Sequence, residues 1–221
     1  MTAYLETVAA LAGELDSVAQ VLGSLSAGQW SSPTLLVPVD PVSHWTVLEL
    51  AGHLGFAMNM IDTLLCDESG FEPVLDRVSF FDQPRNLIAP LAYRTARDVT
   101  ASKSGAEILY GCMTNFSGPV ERARRVDPAF VGSTVLGAMR IDEFIATRVV
   151  EAVVHGLDLA QALDRSFPPS RAAVDCVADV LDALARRRGV DRPQSLADDW
   201  LWVQVASGRR RHYDFPTPLL G

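Results

Sequence analysis

Arg148, Glu151, His155 and Asp158 follow one another at steps of three, four and three residues, in a stretch that otherwise reads Val149-Val150, Val153-Val154, Leu157 and Leu159. In a helix this spacing puts the four groups in one file, continued by Phe144 before and Ala162 after. The flanking valines and leucines predict that most of this helix is buried. Ionisable groups in such a place are costly unless they pair with one another or hold an ion. Glu151 and His155, one turn apart, can both reach a single metal.

A third ligand comes from a distant segment. In Trp45-Thr-Val-Leu-Glu-Leu-Ala-Gly-His53-Leu54 the apolar ridge continues through Leu50, His53/Leu54, Ala57, Ile61 and Leu64, so His53 faces the core. A lone inward histidine is more often a satisfied core residue. Opposite a second inward histidine and a glutamate, it completes a His₂Glu set with an open fourth position, a recognised catalytic zinc arrangement. Water or a substrate atom can take that position, and the ion lowers the pKa of either. Asp158 is placed to orient a ligand, and Arg148 can neutralise Glu151 or bind an acidic substrate. Without a metal, the same file makes two buried pairs, Arg148–Glu151 and His155–Asp158, and spacing alone does not decide between the two readings.

The elements that must position these groups are helical. Residues 3–25 repeat apolar positions at a helical period. A proline-rich connection follows, from Ser32-Pro33 to Asp40-Pro41. A second helix starts with Thr46 as N-cap and Glu49 as its capping-box partner, and runs to about Leu65. Residues 67–100, with Pro73, Pro84 and Pro90, read as a long connection with one short helix. Further helices are expected over 103–124, 138–163 and 170–188, the last after Pro168-Pro169. A final segment takes Ser195 as N-cap, Asp198 as box partner and Gly208 as stop, ahead of an extended tail. Strand signals are nearly absent, and the best candidate, Trp200–Ala206, suits a helix equally. The expected fold is all-α, a four-helix bundle with a long crossover over 1–165 and a short extension over 166–221 packed on it.

Composition narrows the function. At 221 residues the chain suits one domain with a small appendage, and 48% hydrophobic against 21% charged residues is a globular balance. A net charge of −8 argues against nucleic acid or an anionic membrane as partner. Arg186–Arg188 and Arg209–Arg211 read first as a solvated helix end and tail. Cys66, Cys112 and Cys176 read as reduced core cysteines. The N-terminus lacks a basic n-region, and no apolar run reaches membrane-spanning length, so a cytoplasmic location is expected, as a monomer or homodimer. Lys103 is the single lysine among nineteen basic residues, a bias that suggests a GC-rich genome.

Leu25-Ser-Ala-Gly-Gln-Trp30-Ser-Ser-Pro33-Thr34, then Trp45 to Leu54, then Arg148 to Ala160 resemble, in order, motifs of the mycothiol-dependent maleylpyruvate isomerase family. That family belongs to the DinB/YfiT-like group of metal-binding four-helix bundles, and the resemblance covers residues 1–165. It implies a divalent metal, in the first place zinc, on His53, Glu151 and His155. It also implies mycothiol, the small thiol of actinobacteria, as cosubstrate, with its sulfur at the open metal position. The isomerase carries a further α/β domain that contributes an arginine to the site. Only about fifty-five residues follow the bundle here, and Arg209 is the candidate for that arginine. The family's usual tryptophan before the aspartate is Leu157. The shortened C-terminal region favours a thiol S-transferase acting on a small electrophile. The alternatives are a maleylpyruvate-type cis-trans isomerase and a non-catalytic metal- or ligand-binding bundle.

Overall fold

A computed structural model describes residues 2–34, 36, 45–66, 70, 72–83 and 85–220, without the side chains of 85–88. Pro84 and most of the connection expected from Ser32-Pro33 to Asp40-Pro41 lie outside these residues. Helices α1 (Thr2–Gly23), α2 (Val47–Cys66), α5 (Gly105–Ala123) and α6 (Ile141–Leu163) pack in a ring in the order α1, α5, α2, α6, each against two neighbours. Leu11, Leu15 and Leu22 from α1, Leu50, Leu54, Ile61 and Leu64 from α2, and Phe144 from α6 are fully buried between them. The bundle is therefore all-α in its body, as the periodicity predicts.

Two polar contacts at the helix ends fasten this core. The Tyr4 hydroxyl donates to the carbonyl of Ala123, 2.7 Å away, fastening the start of α1 to the end of α5. Burial there pushes the phenol up to about 12. At the start of α2, the backbone amide of Thr46 donates to Glu49 at 2.8 Å, and the amide of Glu49 donates back to the Thr46 hydroxyl at 3.2 Å, the expected capping box.

The segment between α2 and α5 departs from expectation. It holds α3 (Arg77–Phe81) and a sixteen-residue helix, α4 (Arg85–Thr100), which keeps Pro90 in its interior and lies along α2. Asp76 caps α3 through the amides of Val78 and Ser79. Arg77 then grips Glu143 of α6 with Nε and Nη2, at 2.7 and 2.8 Å.

A β-hairpin is the second departure. Strands β1 (Val131–Thr134) and β2 (Gly137–Arg140) pair antiparallel, and α6 begins at Ile141 instead of at 138. Gly137 makes the turn with φ +139°, and a Cβ on Gly132 would sit 2.0 Å from the backbone oxygen of Leu64. Only glycine lets this strand close over the end of α2.

After α6, Asp164 ends the helix in a left-handed conformation, and α7 (Arg171–Arg187) returns along α6 and α1. Arg187 and Arg188 both pair with Asp82 at 3.0 Å, so this helix end is pinned to the chain after α3 and is not simply solvated. The last helix, α8 (Asp199–Ala206), is capped by Asp198, whose side chain accepts from the amide of Leu201. Ser195, the expected cap, lies instead in a short 3-10 turn, Gln194–Leu196. Trp200–Ala206 is helical. All three cysteines are free; Cys112 is buried, but Cys66 is exposed and not a core residue.

Candidate metal centre

Helices α2 and α6 bring His53, Glu151 and His155 to one point. A nitrogen from each imidazole and a carboxylate oxygen lie within 4.8 Å of one another. Glu151 Oε2 sits between the two rings, 3.4 Å from His53 Nε2 and 3.2 Å from His155 Nε2. The rings stand nearly perpendicular, with centroids 5.0 Å apart. The three side chains are 13%, 18% and 14% exposed, so the cluster lies just below the surface with a narrow face to solvent. Two neutral imidazoles and one carboxylate are a donor set suited to a divalent ion such as zinc.

Electrostatics separate the two histidines. Burial lowers the pKa of His53. His155 moves the other way, up to about 9: burial opposes its charge, but Asp158 and Glu151 beside it more than compensate. Burial would raise Glu151, yet the two imidazoles, together with Arg148, hold its carboxyl well below the usual range.

The file along α6 behaves as two halves. Beyond the cluster, Asp158 is 2% exposed and takes the Nδ1–H of His155 at 2.9 Å. This carboxylate also receives Arg209, with Nε donating to Oδ1 at 2.9 Å and Nη2 to Oδ2 at 2.8 Å. Before the cluster, Arg148 is buried beneath Glu151. Its guanidinium donates to the carbonyl of Ala57 and the hydroxyl of Thr147, at 3.2 and 3.1 Å, and lies over the rings of Phe144 and Phe80. It forms no direct ion pair with Glu151 among the described residues. Its charge acts on Glu151 through space, while its place in the core keeps it from the solvent-facing side.

His53 has no such backing. Its Nδ1 is buried with no hydrogen-bond partner among the described residues. The ring is set instead by packing, edge-on against Trp45, which in turn contacts Tyr93 of α4. Sequence reasoning singles out neither aromatic residue. Tyr93 is hidden because α4 itself is not expected; Trp45 stands in the quoted motif, where its place just ahead of the helix was the available signal.

The fold and this constellation define a helical bundle with a candidate metal site between α2 and α6. The model of the mycothiol maleylpyruvate isomerase N-terminal domain matches residues 11–160, and the chain belongs to that family. The match includes His53, Glu151, His155 and Asp158 but ends before Arg209. No curated protein and no solved structure gives a significant match. Among the described residues, no helix is long and apolar enough to cross a membrane.

Proposed function

We propose that this chain is a divalent-metal enzyme, with zinc the first candidate, that uses mycothiol to attack an electrophilic small molecule and transfers the thiol to it. The observation that carries the reading is the convergence of two imidazoles and a carboxylate from two helices, inside the region matched by a mycothiol-related family. His53, Glu151 and His155 would hold a divalent ion, whose Lewis acidity would lower the pKa of a thiol brought to this site.

The chain's own groups do the rest. Glu151 offsets one positive charge and leaves room for an anionic sulfur. Asp158 fixes the His155 ring so that Nε2 faces the site. The proton released by the thiol leaves through the solvent-facing side. The sulfur lone pair then forms a C–S bond to the electrophilic carbon, and a leaving group departs with its electron pair.

In a maleylpyruvate-type isomerase, the second reading, the sulfur adds to a conjugated double bond, the single bond rotates, and elimination restores the thiol. The family description favours it. Against it, Arg148 is sealed in the core and Arg209 is occupied by Asp158, so neither guanidinium is free to hold a dicarboxylate substrate. A non-catalytic bundle is disfavoured because structural zinc is normally closed by four protein ligands.

The test is incubation of the zinc-loaded protein with mycothiol and a panel of electrophiles, read by mass spectrometry for sulfur adducts. Adducts that require both metal and protein support transfer. Isomerised electrophile with free thiol regained moves the assignment to the isomerase. Cobalt in place of zinc adds a direct readout, since sulfur coordination gives a charge-transfer band. Absence of that band at saturating mycothiol removes the thiol from the reaction.

A further inference from the structure

Arg209 belongs to the segment beyond the matched family region, yet it is among the least exposed charged side chains of the protein. Its side chain is 9% exposed and faces a carboxylate that is 2% exposed. Both oxygens of Asp158 are used: Oδ1 takes Nε of Arg209, and Oδ2 takes Nη2 of Arg209 together with Nδ1 of His155. A third donor of Arg209, Nη1, is spent on the carbonyl of Ser207 at 2.6 Å. A two-pronged guanidinium–carboxylate contact fixes the carboxylate plane as well as its position.

The backbone around Arg209 is equally determined. Gly208 turns the chain out of α8 with φ +84°, a conformation that favours glycine. The amides of Arg209 and Arg210 both close onto the carbonyl of Gln204, at 2.8 and 2.9 Å. Gln161 of α6 donates its side-chain amide to the carbonyl of Arg209 at 3.1 Å. The segment after α8 is therefore tied to α6 by backbone and side chain, one turn from the metal-ligand cluster.

We infer that Arg209 is a positioning residue of the metal centre: by locking Asp158 it fixes the ring of His155, so the segment after α8 completes the site that α2 and α6 begin. The inference rests on reading His53, Glu151 and His155 as metal ligands. It gives Arg209 a role distinct from touching substrate, because its donors point to Asp158 and Ser207.

The experiment compares zinc affinity, by competition with a chromogenic chelator, for the whole protein and its Arg209→Ala, Arg209→Lys and Arg210→Ala variants. Arg209→Ala is expected to weaken zinc binding about tenfold or more. Arg209→Lys, which keeps the charge but loses the fork, should fall between it and the wild type. Arg210→Ala should match the wild type. Millimolar guanidinium should restore part of the lost affinity in Arg209→Ala, a result that a purely structural anchor would not give.

Should Arg209→Ala fail to fold, Arg209→Lys carries the test, and wild-type affinity in the folded lysine variant overturns the proposal. A second readout is independent of metal. The ring N–H of His155 in the metal-free protein should exchange faster, and resonate closer to a free imidazole, when Arg209 is changed. An unchanged resonance overturns the role of Arg209 even where zinc binds. If the wild type takes up no zinc, the metal reading fails, and this resonance still decides whether Arg209 orders His155.

Discussion

His155 and His53 reach the same carboxylate from opposite helices, but what stands behind them differs. Behind His155 are Asp158 and then Arg209, three residues joined by hydrogen bonds of 2.8–2.9 Å. Behind His53 are an orphaned Nδ1 and the edge of Trp45. One ring is aimed by charge and hydrogen bonds, the other by shape. A ring aimed by hydrogen bonds keeps its tautomer as well as its direction, and one aimed by packing depends on the density of its surroundings. The difference explains the opposite pKa shifts of the two histidines, and it orders the consequences of changing each side.

The largest effect is expected from the ligands themselves. Protein purified without added metal should carry about one divalent ion per chain, and His155→Ala should lose most of it. The triple variant His53→Ala/Glu151→Ala/His155→Ala should hold none by elemental analysis. Full occupancy in the triple variant would place the ion elsewhere and dissolve the comparison.

Next comes the support of His155. Asp158→Asn should reduce zinc affinity by about ten- to a hundredfold, measured by chelator competition. Asp158→Ala also strands the buried Arg209, and breaking such a pair costs about 3–5 kcal/mol of folding stability, visible in denaturant unfolding. Equal zinc affinity in wild type and Asp158→Asn would show that hydrogen bonding does not set this ring.

Proton release distinguishes the two histidines more finely. In the metal-free protein His155, raised to about 9, is charged at pH 7, while His53, lowered from its ordinary value, is neutral. Zinc must displace a proton from His155 alone, so binding at pH 7 should release about one proton and strengthen with pH until about 9. The same shift stabilises the metal-free fold fully below an imidazole's ordinary pKa near 6.5, and the contribution is lost as pH rises through about 9. Calorimetry of zinc binding in buffers of different ionisation enthalpy counts the protons. Release of two would mean that both rings are charged beforehand.

The smallest effect is expected on the His53 side. Trp45→Phe retains most of the ring edge and should change zinc affinity by no more than about threefold, with a stability loss of about 1 kcal/mol. A loss as large as that of Asp158→Asn would mean that packing positions a ligand as firmly as hydrogen bonding does.

What was legible in the sequence follows the same division. The α6 file and the inward face of α2 are repetitive patterns: charges at three- and four-residue steps among valines, and a histidine on a leucine ridge. Both survive folding because neighbouring turns of one helix dictate them. Helix α4 was hidden by Pro90, which ordinarily ends a helix but here lies within one packed along α2. The hairpin was hidden because Val131–Thr134 and Gly137–Arg140 are short and contain two glycines; its pairing depends on the close approach of Gly132 to Leu64. The inward course of Arg209 leaves no local mark, since in a run of three arginines nothing distinguishes the one that meets Asp158. Contacts between residues far apart in the chain are written in the packing, and a single sequence does not display them.

The separation of Asp158 and Arg209, 51 positions along the chain, also sets a schedule. During synthesis α2 and α6 emerge with every proposed metal ligand, while the residue that locks one of them is still to be translated. At 5–20 residues per second the delay is roughly 3–10 s. Throughout that interval His155 has Asp158 beside it, but Asp158 has no guanidinium to hold it still. On the proposed reading of these residues as metal ligands, a nascent chain would meet the ion with His155 still loosely held, and selection by the finished site would begin when Arg209 arrives.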